Sequence, residues 1–297
     1  MAEALRLLTV HAHPDDEASK GAGTVARYVA EGARAVLVCC TGGEEGDILN
    51  PAMDRPEVRD RLAEVRREEL DRSASIIGYH EVVMLGYRDS GMPDSDANQH
   101  PDSFAAAELD EPVARLIEVI RRERPHVIVT YGDEHGGYPH PDHIRVHEIT
   151  VPAFEQSGDP DFRSDLGDAW QPSKLYYTTW SRRRIEAMHE KFLELGLESP
   201  FEGRWLERPS QDHRITTSVD VGEHYEARAD SLRAHATQVD PESPFWFGLP
   251  AEEARSVYPY DDYELARSHV ETDVPEVDLF AGIRDPSRPD VASAALG

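Results

Sequence analysis

Cysteine, positive charge and long apolar runs are all scarce in this chain. Its 297 residues include only two cysteines, the neighbours Cys39 and Cys40. Neighbouring side chains of a strand point to opposite faces, so we expect two buried thiols without a disulfide between them. There is no CxxC pair, and thiolate zinc binding therefore has no support. No run of about 18 apolar residues indicates a membrane span.

The shortage of basic residues gives the chain a strongly acidic balance. Lys and Arg number 31 against 58 Asp and Glu, so the formal net charge is −27. An acidic surface disfavours nucleic acid and anionic membranes as partners and serves mainly solubility. Residues 1–6 do not have the features of a secretory signal peptide, which are a basic start, a long apolar stretch and a cleavage pattern. We therefore expect a cytoplasmic protein, and the sequence leaves a homo-oligomer open.

Strand and helix patterns alternate through the first half of the chain. Strands are predicted at 5–11, 35–40, 81–85 and 127–131, and helices at 21–31, 56–77, 112–122 and 144–154. Strands separated by helices of this length predict parallel pairing with right-handed crossovers. The predicted fold class is therefore α/β, with Rossmann-like layers of helices on both faces of a mostly parallel sheet.

The pattern changes beyond residue 158. Two more strands are predicted at 174–180 and 215–221, and two more helices at 183–195 and 224–235. We divide the chain into a Rossmann-like metal-binding core (1–157) and a C-terminal extension (158–284) that completes the same domain and walls the active-site cleft. Residues 285–297 are rich in Pro, Ala and Ser and are predicted to be a flexible tail.

Two segments that combine His and Asp each follow a predicted strand. One is residues 12–17 (AHPDDE), and the other is residues 136–143 (GGYPHPDH). Ligands of open α/β sheets bind beyond the carboxyl ends of the strands, so the fold should bring these distant segments together. Imidazole and carboxylate suit a borderline divalent ion such as zinc, which in catalytic sites takes three protein ligands and a water.

The metal ligands that we predict are His13, Asp16 and His143. Two imidazoles and one carboxylate also serve non-haem iron oxygenases, so this set alone leaves that class open. The surplus groups favour a hydrolase. Asp15 can take a proton from metal-bound water as general base, and His140 can donate one to a leaving nitrogen. Support of His143 is the alternative role for His140.

Other groups in these segments have less specific assignments. Tyr138 carries a phenol beside the expected metal and could donate to a developing oxyanion, with loop packing as the alternative. Asp142 either orients a ligating imidazole or caps the following helix. His11 lies within a strand and is expected to be packed or to support a ligand. No GxGxxG motif follows the first strand, so dinucleotide binding has little support.

The two motifs resemble those of the zinc-dependent N-acetylglucosaminyl-phosphatidylinositol deacetylase family, also called LmbE-like. Within that family the chain is most similar to the mycothiol S-conjugate amidases. The resemblance extends to residues 19–21 (SKG), 46–54 (GDILNPAMD), 89–92 (DSGM), 173–177 (SKLYY), 232–238 (LRAHATQ) and 279–283 (LFAGI). The sister deacetylases of N-acetylglucosaminyl-inositol carry Ser at the position of Lys20 and Gly at that of Pro139. Both differences favour the amidases.

The resemblance also implies roles for individual residues. It implies one zinc ion on His13, Asp16 and His143, with Asp15 as base, His140 as acid and Tyr138 as oxyanion donor. It further implies that Asp47, Arg66 and Asp89 hold a glucosaminyl-inositol moiety. Without it, the sequence would favour an exposed helix charge for Arg66. At Asp47 the sister deacetylases commonly have Glu, which changes reach and not charge.

The resemblance implies hydrolysis of mycothiol S-conjugates to a mercapturic acid and glucosaminyl-inositol, in detoxification. Lys20 lies one turn beyond Asp16, and its long cationic side chain could reach the acyl group of such a conjugate. The alternative for Lys20 is a solvated charge at a helix start. The nearest alternative function is the sister deacetylase activity. More remote alternatives are an iron oxygenase and a catalytically silent sugar-binding module.

Overall fold

A seven-stranded sheet forms the centre of this computed structural model, which describes residues 4–133 and 139–284. The strands are β1 (Arg6–His11), β2 (Arg34–Thr41), β3 (Glu81–Tyr87), β4 (Val127–Tyr131), β5 (Lys174–Thr179), β6 (Thr217–Asp220) and β7 (Tyr260–Ser268). Their order across the sheet is β3-β2-β1-β4-β5-β7-β6. The first five strands pair in parallel, and the predicted α/β class is confirmed.

The strand β7, which pairs antiparallel with both β5 and β6, was not predicted from the sequence. Its adjacent acidic residues Asp261 and Asp262 conceal a strand pattern. The structure buries both of them against hydrogen-bond donors. Asp261 accepts from Thr24 at 3.0 Å, and Asp262 accepts from Ser218 at 2.6 Å.

Helices cover both faces of the sheet. They are α1 (Asp16–Ser19), α2 (Ala22–Ala30), α3 (Pro56–Arg59), α4 (Leu62–Ile77), α5 (Asp110–Glu123), α6 (Pro141–Gln156), α7 (Arg182–Glu194), α8 (Arg204–Glu207), α9 (Tyr225–Ala234), α10 (Pro244–Phe247) and α11 (Ala251–Val257). The single helix predicted over 56–77 is wrong in one respect. It is divided into α3 and α4, because the chain leaves helical geometry at Arg61, where φ is −128°. No helix of the described residues is both long and apolar enough to cross a membrane.

Alternate residues of the central strands enter two separate cores. Leu8 and Ile128 pack in a cluster with residues of α5 and α6, whereas Leu7 and Val127 pack in a cluster with residues of α2. This two-sided burial explains the continuous apolar runs in the sequence, since a parallel sheet covered on both faces has no polar side. The adjacent cysteines likewise fall in different clusters and are free thiols, as expected.

A buried ion pair attaches the segment that follows β7 to the sheet. Lys174 in β5 donates to Glu276 at 2.5 Å, and both side chains are fully buried. Glu276 also accepts from Tyr176 at 2.6 Å and from Thr217 at 2.8 Å. Burial alone would raise the pKa of Glu276, but the hydrogen bonds from Lys174, Thr272 and Tyr176 lower it below its usual value.

Replacement of Glu276 by Ala should lower the free energy of unfolding by about 3–5 kcal/mol, because it leaves the Lys174 ammonium buried without a counter-charge. Urea unfolding measures this loss, and Glu271→Ala, at an exposed position, is the control. A lowered folded-state pKa stabilises the protein above the unfolded pKa of about 4.3, and this stabilisation is lost as the pH falls. The free energy of unfolding of the Glu276→Ala variant should therefore fall less between neutral and acid pH than that of the wild type. Equal stability of the two variants at neutral pH would contradict the assignment.

Candidate metal centre and active site

The two His/Asp segments meet where β1 and β4 end. These strands are neighbours in the sheet, with Leu8 paired to Ile128. Residues 12–17 follow β1 directly, and the second segment ends in α6, which begins at Pro141. The sheet thus places both segments at one edge, as the strand order requires.

His13, Asp16 and His143 are buried, and a potential ligand atom of each lies within 4.8 Å of those of the other two. His143 Nε2 is 3.4 Å from Asp16 Oδ2, and His13 Nδ1 is 3.6 Å from the same oxygen. Ligand atoms placed tetrahedrally at the usual zinc distance of roughly 2.1 Å are about 3.4 Å apart. The spacing of this donor set therefore fits a divalent metal ion.

Asp142 orients His13 for this role. Its Oδ2 is 3.1 Å from His13 Nε2 and accepts a hydrogen bond from the Ser90 backbone N–H at 2.9 Å, while Oδ1 accepts from the Ser90 hydroxyl. With Nε2–H directed to Asp142, the Nδ1 atom of His13 remains available for a metal. Ligating histidines generally donate their second ring N–H to such a carboxylate.

The electrostatics of His13 point in the same direction. Burial alone would lower the pKa of His13, but its contacts with Asp142, Asp16 and Asp89 raise it well above the usual value. Carboxylates that favour a proton on this imidazole also favour a divalent cation beside it. A second group, His13 with Asp89, His140 and Asp142, is also close enough to hold an ion. We favour the first set because Asp142 already accepts hydrogen bonds from Ser90 and His13.

Asp15 has an unusual backbone conformation, with φ of 116° and ψ of −24°. This left-handed region favours glycine, and another residue pays about 1–3 kcal/mol to adopt it. The Asp15 carboxylate is partly exposed and lies 3.1 Å from Arg66. Burial of the site raises the pKa of Asp15; Arg66 opposes the shift, and Asp16 adds to it. A raised pKa suits a general base, since it brings proton affinity closer to neutral pH.

Arg66 is 2% exposed, which contradicts the simple view of an exposed helix charge. Its guanidinium donates to the Pro14 carbonyl at 2.6 Å, to the Gly43 carbonyl and to Asp15. A Cβ at Gly43 or Gly46 would overlap this guanidinium, which explains the glycines of that loop. The structure thus places Arg66 beneath the loops of the site, and its contact with substrate remains a prediction.

The other predicted substrate contacts differ in position. Asp89 is buried, lies 3.6 Å from His13 Nε2 and accepts from the Gly91 N–H at 2.8 Å. Asp47 is exposed in the loop that follows β2. The ammonium of Lys20 contacts Asp16 and lies 5.6 Å from the centroid of the Tyr131 ring. Tyr138, the predicted oxyanion donor, lies outside the described residues, as does the predicted tail at 285–297.

His140 is the N-cap of α6, a role that the sequence analysis had considered for Asp142. Its Nδ1 accepts the Asp142 backbone N–H at 3.2 Å, so the neutral ring carries its proton on Nε2. The ring packs edge-on against His13, with centroids 4.5 Å apart. Burial and the charge of His13 lower the pKa of His140 to about 4.

Sequence reasoning missed three residues of this site. Tyr131, at the end of β4, stacks on His143 with ring centroids 4.5 Å apart and accepts the Ala12 N–H at 3.0 Å. Glu17 and His235 form a buried ion pair beside Asp15. The third acid of the AHPDDE motif and the lone His of the LRAHATQ segment were signals, but nothing in the sequence links residues so far apart.

Replacement of His13, Asp16 or His143 by Ala should each remove one of three protein ligands and strongly reduce bound metal. Asp142→Ala should weaken metal affinity by roughly 10- to 100-fold, because it only orients a ligand. Elemental analysis after dialysis against a defined zinc concentration measures both effects. The control is His147→Ala, one turn along α6 from His143 and outside both candidate metal groups. Full metal content in all three ligand variants would contradict the assignment.

Comparison with known proteins extends these observations over nearly the whole chain. Residues 8–154 match the family model for PIG-L, GlcNAc-PI de-N-acetylase. The chain is 48% identical over 294 residues to mycothiol S-conjugate amidase of Streptomyces coelicolor, which covers 96% of this chain and 99% of that protein. It is 41% identical over 294 residues to 1D-myo-inositol 2-acetamido-2-deoxy-alpha-D-glucopyranoside deacetylase of Geodermatophilus obscurus, covering 95% and 99% of the two chains.

Among solved structures, N,N'-diacetylchitobiose deacetylase of Pyrococcus horikoshii has a TM-score of 0.61 with this chain at 19% identity. The match covers 89% of this chain and 84% of that one, and it shows a common fold. The two relatives at 48% and 41% identity over nearly the whole chain, with the matching family model, show that this chain belongs to the GlcNAc-PI de-N-acetylase (PIG-L), or LmbE-like, family.

Proposed function

We propose that this protein is a zinc-dependent amidase that hydrolyses mycothiol S-conjugates to a mercapturic acid and glucosaminyl-inositol. The observation that carries the proposal is the higher identity to the S-conjugate amidase than to the biosynthetic deacetylase, over almost equal lengths. Lys20 and Pro139, which depart from the deacetylase pattern, favour the same choice. The reaction would serve detoxification of thiol-reactive compounds in the cytoplasm.

A zinc ion held by His13, Asp16 and His143 would act as a Lewis acid on the amide carbonyl and would lower the pKa of a bound water to about 7. Asp15 accepts the proton of the attacking water, a task favoured by its raised pKa. Tyr138 is proposed as a donor to the oxyanion that forms at the former carbonyl.

His140 then donates a proton to the departing amine of glucosaminyl-inositol. The capping contact at Nδ1 places the proton of the neutral ring on Nε2, the nitrogen proposed to donate, which supports the proposal. Its lowered pKa means that the ring is neutral at rest. Negative charge that develops on the substrate during attack would raise the pKa of His140, so that the neutral ring takes up a second proton from solvent. The resulting imidazolium would then give the Nε2 proton to the amine and return to the neutral form.

Substrate recognition is proposed for residues on the loops around this centre. Asp47, exposed in the loop after β2, would accept hydrogen bonds from sugar hydroxyls. Asp89 and Arg66 are buried, and they would contact the glucosaminyl-inositol moiety at the bottom of the cleft. Lys20 would reach the acyl group of the conjugate.

The function is tested by turnover of a mycothiol S-conjugate beside N-acetylglucosaminyl-inositol, with the same zinc-loaded protein. We expect kcat/KM to be higher for the conjugate. A higher value for N-acetylglucosaminyl-inositol would favour the biosynthetic deacetylase activity instead.

Asp15→Asn should retain zinc and lose roughly 100-fold or more in kcat, because an amide of the same size cannot accept the proton. Asp16→Asn is the matched variant, and we expect it to lose zinc together with activity. Metal content and single-substrate kinetics on the same preparations separate the two roles. Loss of zinc from Asp15→Asn would make Asp15 a ligand.

Lys20→Ser should lower kcat/KM for the conjugate by roughly 5- to 50-fold, about 1 to 2.3 kcal/mol, the range of a charge-assisted hydrogen bond. Deacetylation of N-acetylglucosaminyl-inositol should change much less, since its acetyl group is too short to be reached. Metal content is the control here, because Lys20 contacts Asp16. Equal losses on both substrates would show that Lys20 acts on the shared sugar or on the metal.

A further inference from the structure

A buried ion pair lies behind the active site and has no part in the reaction described above. Glu17 Oε1 accepts from His235 Nε2 at 2.6 Å and from the Ser73 hydroxyl in α4. Glu17 and His235 are both fully buried. They are 218 positions apart, with Glu17 in α1 and His235 at the end of α9 in the C-terminal extension.

The second oxygen of Glu17 holds the backbone of Asp15. Glu17 Oε2 accepts the Asp15 N–H at 3.0 Å. At φ of 116° the Asp15 backbone is in a conformation that non-glycine residues rarely adopt, so surrounding contacts must maintain it. Arg66 contacts the Asp15 side chain, but the Glu17 carboxylate is the group that holds its N–H.

The segment that carries His235 also holds the loop of Asp47. The Thr237 carbonyl accepts the Leu49 N–H at 2.8 Å, and Asn50 donates to the Ala236 carbonyl at 2.9 Å. Glu69 in α4 fixes this segment through the Thr237 N–H at 2.9 Å and hydroxyl at 2.7 Å. Residues 235–238 therefore connect the extension to two loops of the site.

We propose that Glu17 and His235 form a positioning pair for Asp15. His235 and Ser73 fix the Glu17 carboxylate, and that carboxylate fixes the strained Asp15 backbone, which directs the Asp15 side chain towards the site. The pair does not touch substrate. The proposal rests on the proposed role of Asp15 as general base.

Glu17→Ala should lower kcat roughly 10- to 100-fold, as expected when a catalytic group is displaced by about an ångström. KM should stay within about twofold and metal content should be unchanged, since Asp16 and the histidines keep their own contacts. Glu17→Gln retains an acceptor for the Asp15 N–H and a polar group for Ser73 and His235. It should recover most of the lost kcat.

Glu69→Ala is the matched control, because it also removes a buried carboxylate that holds residues 235–238 but does not contact Asp15. We expect thermal destabilisation comparable to that of Glu17→Ala, with kcat close to the wild-type value. Equal losses of kcat in the two variants would show general loosening and would overturn the proposal. If Glu17→Ala does not fold, His235→Ala, which removes the donor that fixes the Glu17 carboxylate, is compared with Glu69→Ala in the same way.

A double-mutant cycle with Asp15→Asn completes the test, on whichever amide substrate the wild type hydrolyses. If Glu17 acts through Asp15, the double variant should be no slower than Asp15→Asn alone. If the kcat losses of the two single variants multiply in the double variant, Glu17 acts independently of Asp15, and the proposed positioning pair would be overturned. An Asp15→Asn variant with full activity would instead refute Asp15 as the base, which is a separate failure.

Discussion

The parallel pairing of β1 with β4 is the constraint on which the site depends. Each strand is followed along the chain by a segment that carries imidazole and carboxylate groups, and the adjacency of the strands brings residues 12–17 within reach of α6. The pairing is fixed by two-sided burial of Leu7, Leu8 and their partners, because a shift of one residue would exchange the two cores. Packing of the sheet thus determines the metal geometry.

Around this centre, the three histidines proposed as ligands or acid are each held by a contact with another residue. Asp142 sets the ring of His13, the backbone of Asp142 sets the tautomer of His140, and Tyr131 covers one face of His143. These contacts hold the proposed ligands and acid in position before substrate binds, which lowers the cost of reaching a reactive geometry.

Much of this could be predicted from sequence, for physical reasons. Continuous apolar runs identified β1, β2 and β4, and strand ends carrying His and Asp identified the site, because burial and ligand chemistry are local signals. The strand β7 could not be predicted, since the hydrogen bonds that allow Asp261 and Asp262 to be buried come in part from Thr24 and Ser218, which are distant in the sequence. The break at Arg61 had no local signal either, as neither Gly nor Pro marks it.

The buried charges were harder still to predict. Nothing local in the sequence marks Arg66, Glu17 or His235 as buried, and charged residues are usually exposed. Their burial is explained only when partners from α1, α4 and the segment after α9 are brought together. Family resemblance named Arg66 as a substrate contact, whereas the structure shows what its guanidinium holds.

The central claim is that His13, Asp16 and His143, from the two His/Asp segments, form one metal centre that serves amide hydrolysis. It is tested most directly by anomalous scattering from crystals of the zinc-loaded protein. The account predicts one strong peak at roughly 2.1 Å from His13 Nδ1, Asp16 and His143 Nε2, with His13 Nε2 still on Asp142. A peak held instead by Asp89, His140 and Asp142, with Asp16 unligated, would contradict it.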